Sequence, residues 1–455
     1  MRRLWLVIFC VAALHSAAYV QNDVVRESRT ETKFIRNEED GSITIWMMKP
    51  NVLHEDLLSL GEQRTNVRFA LFPTSVTLTD ADVEALCSLP NIRGVTVDGQ
   101  TSDATIMKLE RIKNLSELTF RCNISTITGT GLEALGTFKK LEKLRIYGNF
   151  SGDDLANLGK LDQLRELDLI LQMPIVSGKE LAFLEKMTKL RKLQLSLSSH
   201  VVADTGLVPS QFTDDALSQL RNLNELEELV ISCNLISGKS LSHLSHLKQL
   251  RRLDIRNPRL TTEDISHLMD FQQLTSLTIN SKALDDTTLA YLGNLTNLRK
   301  LEFTAASNIT DAGLSHLQSL HNLEDITLTS NLLTGEGLSH LSNLKSLKKL
   351  VFVSHGFNFT VSGISRIKNL QQLTECRIEG AVTNEMLRSF EGNETLVTLL
   401  IRGNAVTDAG MEHLKTVRNL QNLDISKTGV TQRGVDGLQQ ALPDCQIKAN
   451  YNYLK

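Results

Sequence analysis

The sequence predicts an α/β solenoid, in which short parallel strands alternate with short helices. A strand-like LxxLxL pattern recurs along the chain, and from Ile231 to Phe303 its last apolar position returns every 24 residues. A helix-like pattern fills each interval between two such strands. Aromatic residues make up only 5% of the 455 residues, which favours a core built mainly from leucine and isoleucine.

The strand pattern is clearest in LEELVISCN, LRRLDIRN, LTSLTIN and LRKLEFT, the segments that begin at Leu226, Leu250, Leu274 and Leu298. Because successive strand side chains point to opposite faces, we expect the leucine and isoleucine positions to face inward and the intervening residues outward. The pattern predicts about fifteen strands at a spacing of about 4.8 Å. The last apolar position of each strand is then Ile45 and Phe69, both weak matches, followed by Val97, Phe120, Ile146, Leu169, Leu195, Ile231, Ile255, Ile279, Phe303, Leu328, Phe352, Ile378, Ile401 and Ile425.

The intervals between strands carry a second pattern, for which NITDAGLSHLQSLHNL (residues 308–323) is typical. Thr310 is a candidate helix cap, and Asp311 is placed favourably at the positive end of the helix dipole. The leucines at 314, 317 and 320 recur at a spacing of three and form one apolar face. Glycines such as Gly313 recur once per repeat after the turn. One unit cannot bury its leucines alone, so the repeats are expected to stack.

These repeats resemble the leucine-rich-repeat superfamily, in particular its ribonuclease-inhibitor-like and GALA-type repeats. VTDAGL, ITDAGL and the closing LPDCQI are similar to sequences of exported planctomycete-type bacterial proteins with such repeats. The resemblance covers roughly residues 77–447. It implies a right-handed, horseshoe-shaped solenoid with a parallel sheet on the concave side and short helices on the convex side. It leaves the ligand open, because this superfamily binds very different partners.

The N-terminus predicts export. Arg2 and Arg3 precede an apolar run from Leu4 to Leu14, and small residues before a cleavage site at Ala18 complete a signal peptide of residues 1–18. Retention of this run as a membrane anchor stays open. Residues 19–41 are expected to be polar and disordered, 42–76 to hold an N-terminal cap with degenerate first repeats, 77–447 the solenoid and 448–455 a C-terminal cap or tail.

Composition argues against several classes of function. A net charge of −3 without a basic track argues against nucleic-acid binding. The sequence has no GxSxG motif and no glycine-rich phosphate loop, so neither an enzyme nor a cofactor is predicted. Beyond the signal, Cys87, Cys122, Cys233, Cys376 and Cys445 are widely spaced and form no CxxC pair. They are interpreted as isolated thiols rather than as a disulfide framework or a zinc site.

Histidine recurs in one slot before a helix leucine, and His243 and His246 are three residues apart on one predicted helix, a spacing that allows a metal to be chelated. We interpret this slot as a consequence of the repeat, and predict no metal site, because no acidic residue completes the ligand set. The histidines in the slot are His243, His267, His316, His340 and His413.

A binding surface is expected on the outward strand positions, where charges of both signs alternate. Arginine and tyrosine tend to dominate interface energies, and they are densest between the strands of Glu117 and Arg256. The step from Leu195 to Ile231 is 36 residues, and the extra residues at 198–210 form either a neutral surface insertion or a loop beside the binding face. The candidate partner-binding residues are Arg121, Arg145, Tyr147, Asp168, Arg252, Asp254 and Arg256.

The sequence therefore predicts an exported, monomeric, non-enzymatic scaffold that binds a protein or a surface polysaccharide. We expect it to be secreted, periplasmic or on the cell surface rather than cytoplasmic. Two alternatives stay open: a structural or adhesion component of the cell envelope, and a substrate receptor of the ubiquitin-ligase type. The second is disfavoured by the export signal and by the lack of an F-box-like helical module before residue 77.

Overall fold

The computed structural model describes residues 28–29, 33–37, 43–47, 67–72, 78–97, 102–121, 127–148, 150–171, 178–197, 214–233, 236–305, 308–354, 356 and 359–449. The chain divides into two compact units, residues 1–141 and residues 142–455. The predicted signal peptide, the insertion at 198–210 and the last residues, 450–455, lie outside the described residues.

The first unit combines antiparallel and parallel pairing. Its first strands pair antiparallel with one another, β1 with β2 and β2 with β3, whereas β3 to β6 pair in parallel and in chain order. We expected no regular structure in residues 19–41, but β1 and β2 lie there, in a stretch that includes the strand-forming sequence KFIRN. The strands are β1 (Ser28–Arg29), β2 (Lys33–Asn37), β3 (Ile43–Met47), β4 (Val67–Phe72), β5 (Gly94–Val97) and β6 (Glu117–Arg121).

The register of β4 differs from the one that the repeat pattern suggested. Phe69 was aligned with Val97 on the next strand, but the structure pairs Phe72 with Val97 and Phe69 with Gly94. A register shift lies at the start of the pairing between β3 and β4. The pattern failed here because the apolar run of β4 offers several alignments that differ only in which side chains face the core.

The second unit is a ladder of thirteen described strands, each of which pairs in parallel with the next along the chain. The long step before Ile231 does not disturb the ladder, because Leu195 pairs directly with Ile231. The strands are β7 (Lys143–Gly148), β8 (Glu166–Leu171), β9 (Lys192–Leu197), β10 (Glu228–Ser232), β11 (Arg252–Arg256), β12 (Ser276–Asn280), β13 (Lys300–Thr304), β14 (Asp325–Thr329), β15 (Lys349–Val353), β16 (Glu375–Glu379), β17 (Thr398–Arg402), β18 (Asn422–Asp424) and β19 (Gln446–Lys448).

The predicted alternation of inward and outward side chains is confirmed. Leu277 and Ile279 on β12 are 0% exposed, and they pair in register with apolar residues of both neighbouring strands. Phe303 and Phe352 occupy the same inward position on β13 and β15 and are among the largest fully buried side chains. Each inward row thus runs through consecutive repeats as a continuous apolar core.

Short helical segments connect the strands, and many of them are 3₁₀ helices. Leu314, Leu317 and Leu320 are 0% exposed, and their spacing of three matches the three residues per turn of the 3₁₀ segment at Gly313–Leu317. The α-helices are Asp80–Ser88, Asp103–Leu109, Gly129–Leu135, Gly152–Ala156, Gly238–Ser242, Thr262–Ile265, Asp286–Leu292, Val361–Ser365, Asn384–Leu387, Asp408–Leu414 and Gln432–Ala441. The 3₁₀ segments are Asn157–Lys160, Lys179–Lys186, Asp214–Leu220, Ser266–Leu268, Gly313–Leu317, Glu336–Leu341, Arg366–Asn369 and Arg388–Phe390. None of the helices in the described part of the chain is long and apolar enough to cross a bilayer.

The acidic residue of the TDAG motif links neighbouring repeats. Asp286 accepts hydrogen bonds from the backbone nitrogen and the hydroxyl of Thr310, at 2.8 and 2.6 Å. Asp311 binds Thr334 in the same way, at 2.9 and 2.6 Å. Asp103 bonds to Thr128 and Asp408 to Thr431 with the same two contacts. In these four repeats the aspartate therefore joins the start of one helical segment to the start of the next.

Candidate functional site

The outward side chains of β7 to β19 form three rows, which we call the open face of the second unit. The row at the start of the strands alternates in charge over much of its length. Lys143 lies 3.6 Å from Glu166, Lys192 lies 2.9 Å from Glu228, and Lys349 lies 2.7 Å from Glu375. The hydrogen bond that Lys192 donates to Glu228 raises the pKa of Lys192. Apart from Arg252, positive charge on this row is thus matched locally, and the row offers no continuous basic track to a polyanion.

Asp325 is an acidic residue of this row without an ion pair to a described residue. Its Oδ1 atom is buried and has no hydrogen-bond partner among the described residues, and burial raises the pKa of its carboxyl group. Its neighbours Lys300 and Lys349 oppose that shift, although each is also paired with a glutamate. The charged form of Asp325 is therefore held at a cost in folding free energy.

We expect Asp325→Asn to raise the melting temperature at pH 7. Because the folded-state pKa of Asp325 lies above its unfolded value, its favourable contribution is present at low pH and is lost as the pH rises through the folded pKa. At about pH 3, below the ordinary Asp pKa of about 3.9, the variant and the wild type should melt together. Calorimetry at both pH values measures this, with the exposed Asp270→Asn as a control that changes little at either pH. A lower melting temperature of Asp325→Asn at pH 7 would contradict the expectation.

The first group of candidate residues lies on β7 and β8. Arg145 Nε donates to Asp168 Oδ2 at 2.5 Å, although the two residues are 23 positions apart in the sequence. The Arg145 side chain is 44% exposed, and both of its Nη groups lie outside any hydrogen bond with a described residue. Tyr147 pairs in register with Ile170, and both are half-buried. A guanidinium and a small aromatic–aliphatic surface therefore lie side by side on the open face.

The second group lies on β11. Arg256 donates from Nε and Nη2 to the two carboxylate oxygens of Asp254, at 3.2 and 3.0 Å. This two-point contact with the almost fully buried Asp254 raises the pKa of Arg256. The Arg256 side chain remains 60% exposed, so its guanidinium is held in place without being covered. Arg252 is exposed on the same strand and forms no ion pair with a described residue.

These two groups are separate within the open face. Four strand steps divide β7 from β11, which is a distance of about 19 Å at the usual strand spacing. In the middle and last rows of β9 and β10, which lie between them, the outward residues Gln194, Ser196, Val230 and Ser232 are all uncharged. Arg121 belongs to the first unit, where it is the last residue of β6, and its side chain lies outside the described ones.

Sequence reasoning missed the apolar residues of the open face. Val351 and Val353 on β15 take outward positions and yet are only 7% and 9% exposed, while Leu400 on β17 and Ile170 on β8 are half-buried. The signal was present in the sequence, since KLVFV and TLLIR carry apolar residues at positions that are polar in most other strands. It was passed over because only charged and aromatic side chains were considered as anchors.

The helical side offers little chemistry in the described part of the chain. No group of three or more His, Cys, Asp or Glu residues there is placed to hold a metal ion. Both ring nitrogens of His246 lie near carbonyl oxygens, 2.9 Å from that of His243 and 3.1 Å from that of Leu220. The four described cysteines, Cys87, Cys233, Cys376 and Cys445, are not in disulfide bonds. Burial raises the pKa of the Cys87 and Cys445 thiols, which favours the unreactive protonated form.

Comparison with known proteins gives structural relatives only. No protein-family model and no curated protein matches the sequence. A leucine-rich-repeat protein of Leptospira interrogans superimposes with a TM-score of 0.51 at 16% identity, over 88% of this chain and 100% of that one. An internalin of Listeria monocytogenes has a TM-score of 0.44 at 18% identity, over 89% of this chain and 96% of that one. TLR13 in a complex with single-stranded RNA has a TM-score of 0.41 at 16% identity, over 84% of this chain and 65% of that one. The repeated units and the likeness to the Leptospira protein show that this chain has the leucine-rich-repeat solenoid fold.

Proposed function

We propose that this protein is an exported scaffold without enzymatic activity that binds a protein partner through the open face, around β7 to β11. The observation that carries the proposal is the pairing of Arg145 with Asp168 and of Arg256 with Asp254. In each pair a buried or half-buried carboxylate holds an arginine that stays exposed. A surface polysaccharide is the other ligand to be tested against this face.

The energetic reason is preorganisation. Interface arginines and tyrosines contribute most when they are ordered before the partner arrives, because little side-chain entropy is then lost on binding. β7 is hydrogen-bonded to β8, and β8 and β11 are hydrogen-bonded to a strand on each side. The Arg145 and Arg256 guanidiniums are additionally fixed by their aspartates. Each guanidinium keeps unused donors that a carboxylate or carbonyl oxygen of the partner would accept.

The remaining features of the proposal rest on the sequence. Arg2, Arg3 and the apolar run before Ala18 support export through a signal peptide. The TDAG-type repeats support the ribonuclease-inhibitor-like or GALA-type subclass and kinship with planctomycete-type exported proteins. Fractionation of the native host tests export directly. A cytoplasmic location would revive the ubiquitin-ligase alternative, and a fixed place in the envelope without a partner would favour the structural one.

Arg145→Ala combined with Tyr147→Ala is expected to weaken partner binding by about 2 kcal/mol or more, because both side chains are anchors on a rigid surface. A partner is first captured from host extract with the wild-type protein, and its affinity for each variant is then measured by calorimetry. Glu302→Ala with Thr304→Ala is the matched control, since these residues take the corresponding two positions on β13.

The control pair should leave the affinity nearly unchanged. Equal losses for the two pairs would show that β7 and β8 are not the anchoring region. Loss of binding in His316→Ala with His340→Ala, on the helical side, together with no loss in the Arg145 and Tyr147 variant, would rule out the open face altogether.

A further inference from the structure

A cluster of charged residues on β16 and β17 is unbalanced, unlike the two arginine–aspartate pairs described above. We call Arg377, Glu379 and Arg402 the Arg377 cluster. Glu379 Oε1 accepts a hydrogen bond from Arg377 Nε at 2.7 Å and lies 2.5 Å from Arg377 Nη2. The same oxygen lies 3.3 Å from Arg402 Nη1. Two guanidinium groups therefore share one carboxylate.

The surrounding carboxylates are each paired with a lysine, although Asp424 also attracts Arg402. Glu375 is paired with Lys349 at 2.7 Å. Asp424 lies 3.6 Å from Lys448 and also accepts from the backbone nitrogen of Ser426 at 2.9 Å. Within the described residues, one positive charge of the Arg377 cluster is thus left over. The Nε atom of Arg402 is in addition buried without a hydrogen-bond partner there, which is costly for a charged donor.

Apolar side chains border the cluster on the same face. Val351 pairs in register with Arg377 on one side, and Leu400 pairs with it on the other. Val353 pairs with Glu379. Leu400 is half-buried, so it still presents apolar surface to solvent beside Arg377 and Arg402, which are 39% and 30% exposed. By contrast, the three strands that precede β15, namely β12 to β14, carry only polar residues at their outward positions.

We propose that β15 to β17 form a second docking site on the open face, which takes an acidic and aliphatic segment of a partner protein. One carboxylate of the segment lies against the Arg402 and Arg377 guanidiniums, and an adjacent aliphatic side chain packs on Leu400 beside the valines. The site rests on the proposed function only in that the open face binds protein. It takes a single carboxylate rather than a polyanion, because Glu375 and Glu379 repel any further negative charge.

The test uses the full chain and a defined probe, a blocked fluorescent peptide in which one glutamate is flanked by leucine and valine. Its affinity is measured by fluorescence anisotropy at low salt, beside a peptide with glutamine in place of the glutamate. We expect saturable binding of the acidic peptide and binding about tenfold weaker for the glutamine peptide, the size of effect that a charge-assisted contact gives. Equal affinities, or no saturable binding of either peptide, would overturn the proposal.

Variants then locate the site. Arg377→Gln with Arg402→Gln should weaken acidic-peptide binding by about tenfold. The matched control is Arg366→Gln with Arg388→Gln, which removes the same charge from two exposed arginines of the helical side that also contact glutamates. Glu379→Gln should tighten binding, because it removes the internal competitor for both guanidiniums while leaving an acceptor for them. Circular dichroism melts confirm that each variant is folded.

Equal losses in the two arginine pairs would indicate non-specific charge attraction, and weaker binding in Glu379→Gln would also contradict the proposed arrangement. The outcome of the peptide experiment does not depend on Arg145 and Tyr147, the proposed anchors on β7. A captured partner that depends on Arg145 and Tyr147, with no peptide binding at β15 to β17, would leave the proposed function intact and remove this second site.

Discussion

Replacing Leu277 by alanine is expected to destabilise the protein by about 2–5 kcal/mol, the range found when a buried leucine is truncated. Leu277 is 0% exposed and pairs in register with Leu253 on one side and Leu301 on the other. The loss combines the burial of the removed methyl and methylene groups with the cavity left between two neighbouring repeats. In a stacked fold each unit contacts only its neighbours, so the damage should be greatest close to β12.

The control for Leu277→Ala is Ser276→Ala, the preceding residue on the same strand, whose half-buried side chain faces outward. Denaturant unfolding of both variants gives the free energies, and amide hydrogen exchange shows where protection is lost. We expect the control to change the free energy of unfolding by about 0.5 kcal/mol or less. A larger effect of Ser276→Ala than of Leu277→Ala would mean that the assignment of inward and outward positions is inverted.

Replacing Asp311 by alanine is expected to destabilise the protein by about 3 kcal/mol, because this carboxylate accepts four hydrogen bonds from the next repeat. Oδ2 accepts from the nitrogen and hydroxyl of Thr334, and Oδ1 accepts from the nitrogens of Gly335 and Gly337 at 3.1 and 2.8 Å. Three backbone N–H groups at the start of a helical segment would lose their acceptor. Water can reach this half-buried site, which keeps the loss below the sum of four separate bonds.

Asp270→Ala is the matched control for Asp311→Ala, since Asp270 is an exposed aspartate on the same side of the unit that contacts no described residue through a hydrogen bond or an ion pair. Asp311→Asn should retain part of the stability, because one amide oxygen still accepts hydrogen bonds. In another repeat an asparagine, Asn384, already takes the position of this aspartate, and its Oδ1 accepts a hydrogen bond from Thr407 N at 2.8 Å. Equal stabilities of the Asp311→Ala and Asp270→Ala variants would show that the contacts between repeats contribute nothing measurable.

The same contacts explain the glycine of the TDAG motif. A side chain at Gly313 would collide with the Asp286 carboxylate, which reaches across from the preceding repeat to Thr310. Gly131, Gly410 and Gly434 meet the corresponding Asp103, Asn384 and Asp408 in the same way. The glycine is therefore required by the close approach of two repeats, which its recurrence after the turn of each single repeat did not reveal.

The sequence by itself determined the repeat, the inward rows of the core and the parallel ladder. These follow from local alternation within a strand and from the recurrence of LxxLxL, and both kinds of information lie within about 24 residues. It did not determine which connecting segments are 3₁₀ and which are α-helical, since Leu289, Leu292 and Leu295 have the same spacing of three as Leu314, Leu317 and Leu320 but begin in the α-helix Asp286–Leu292. It failed at β4, where an apolar run allows more than one register.

Only the tertiary structure decided which polar side chains meet across repeats. Arg145 and Asp168, Asp311 and Thr334, or Glu379 and Arg402 are each 23 residues apart, and they become neighbours only because their strands or helical segments lie side by side in one particular register. The side-chain rotamers then determine which of the nearby residues is bonded. Asp254 pairs along its own strand with Arg256, whereas Asp168 pairs across strands with Arg145. The burial of apolar side chains follows their periodic spacing along the chain, which can be read directly from the sequence. An ion pair depends on the positions of a few atoms, and these are fixed only when the repeats have stacked.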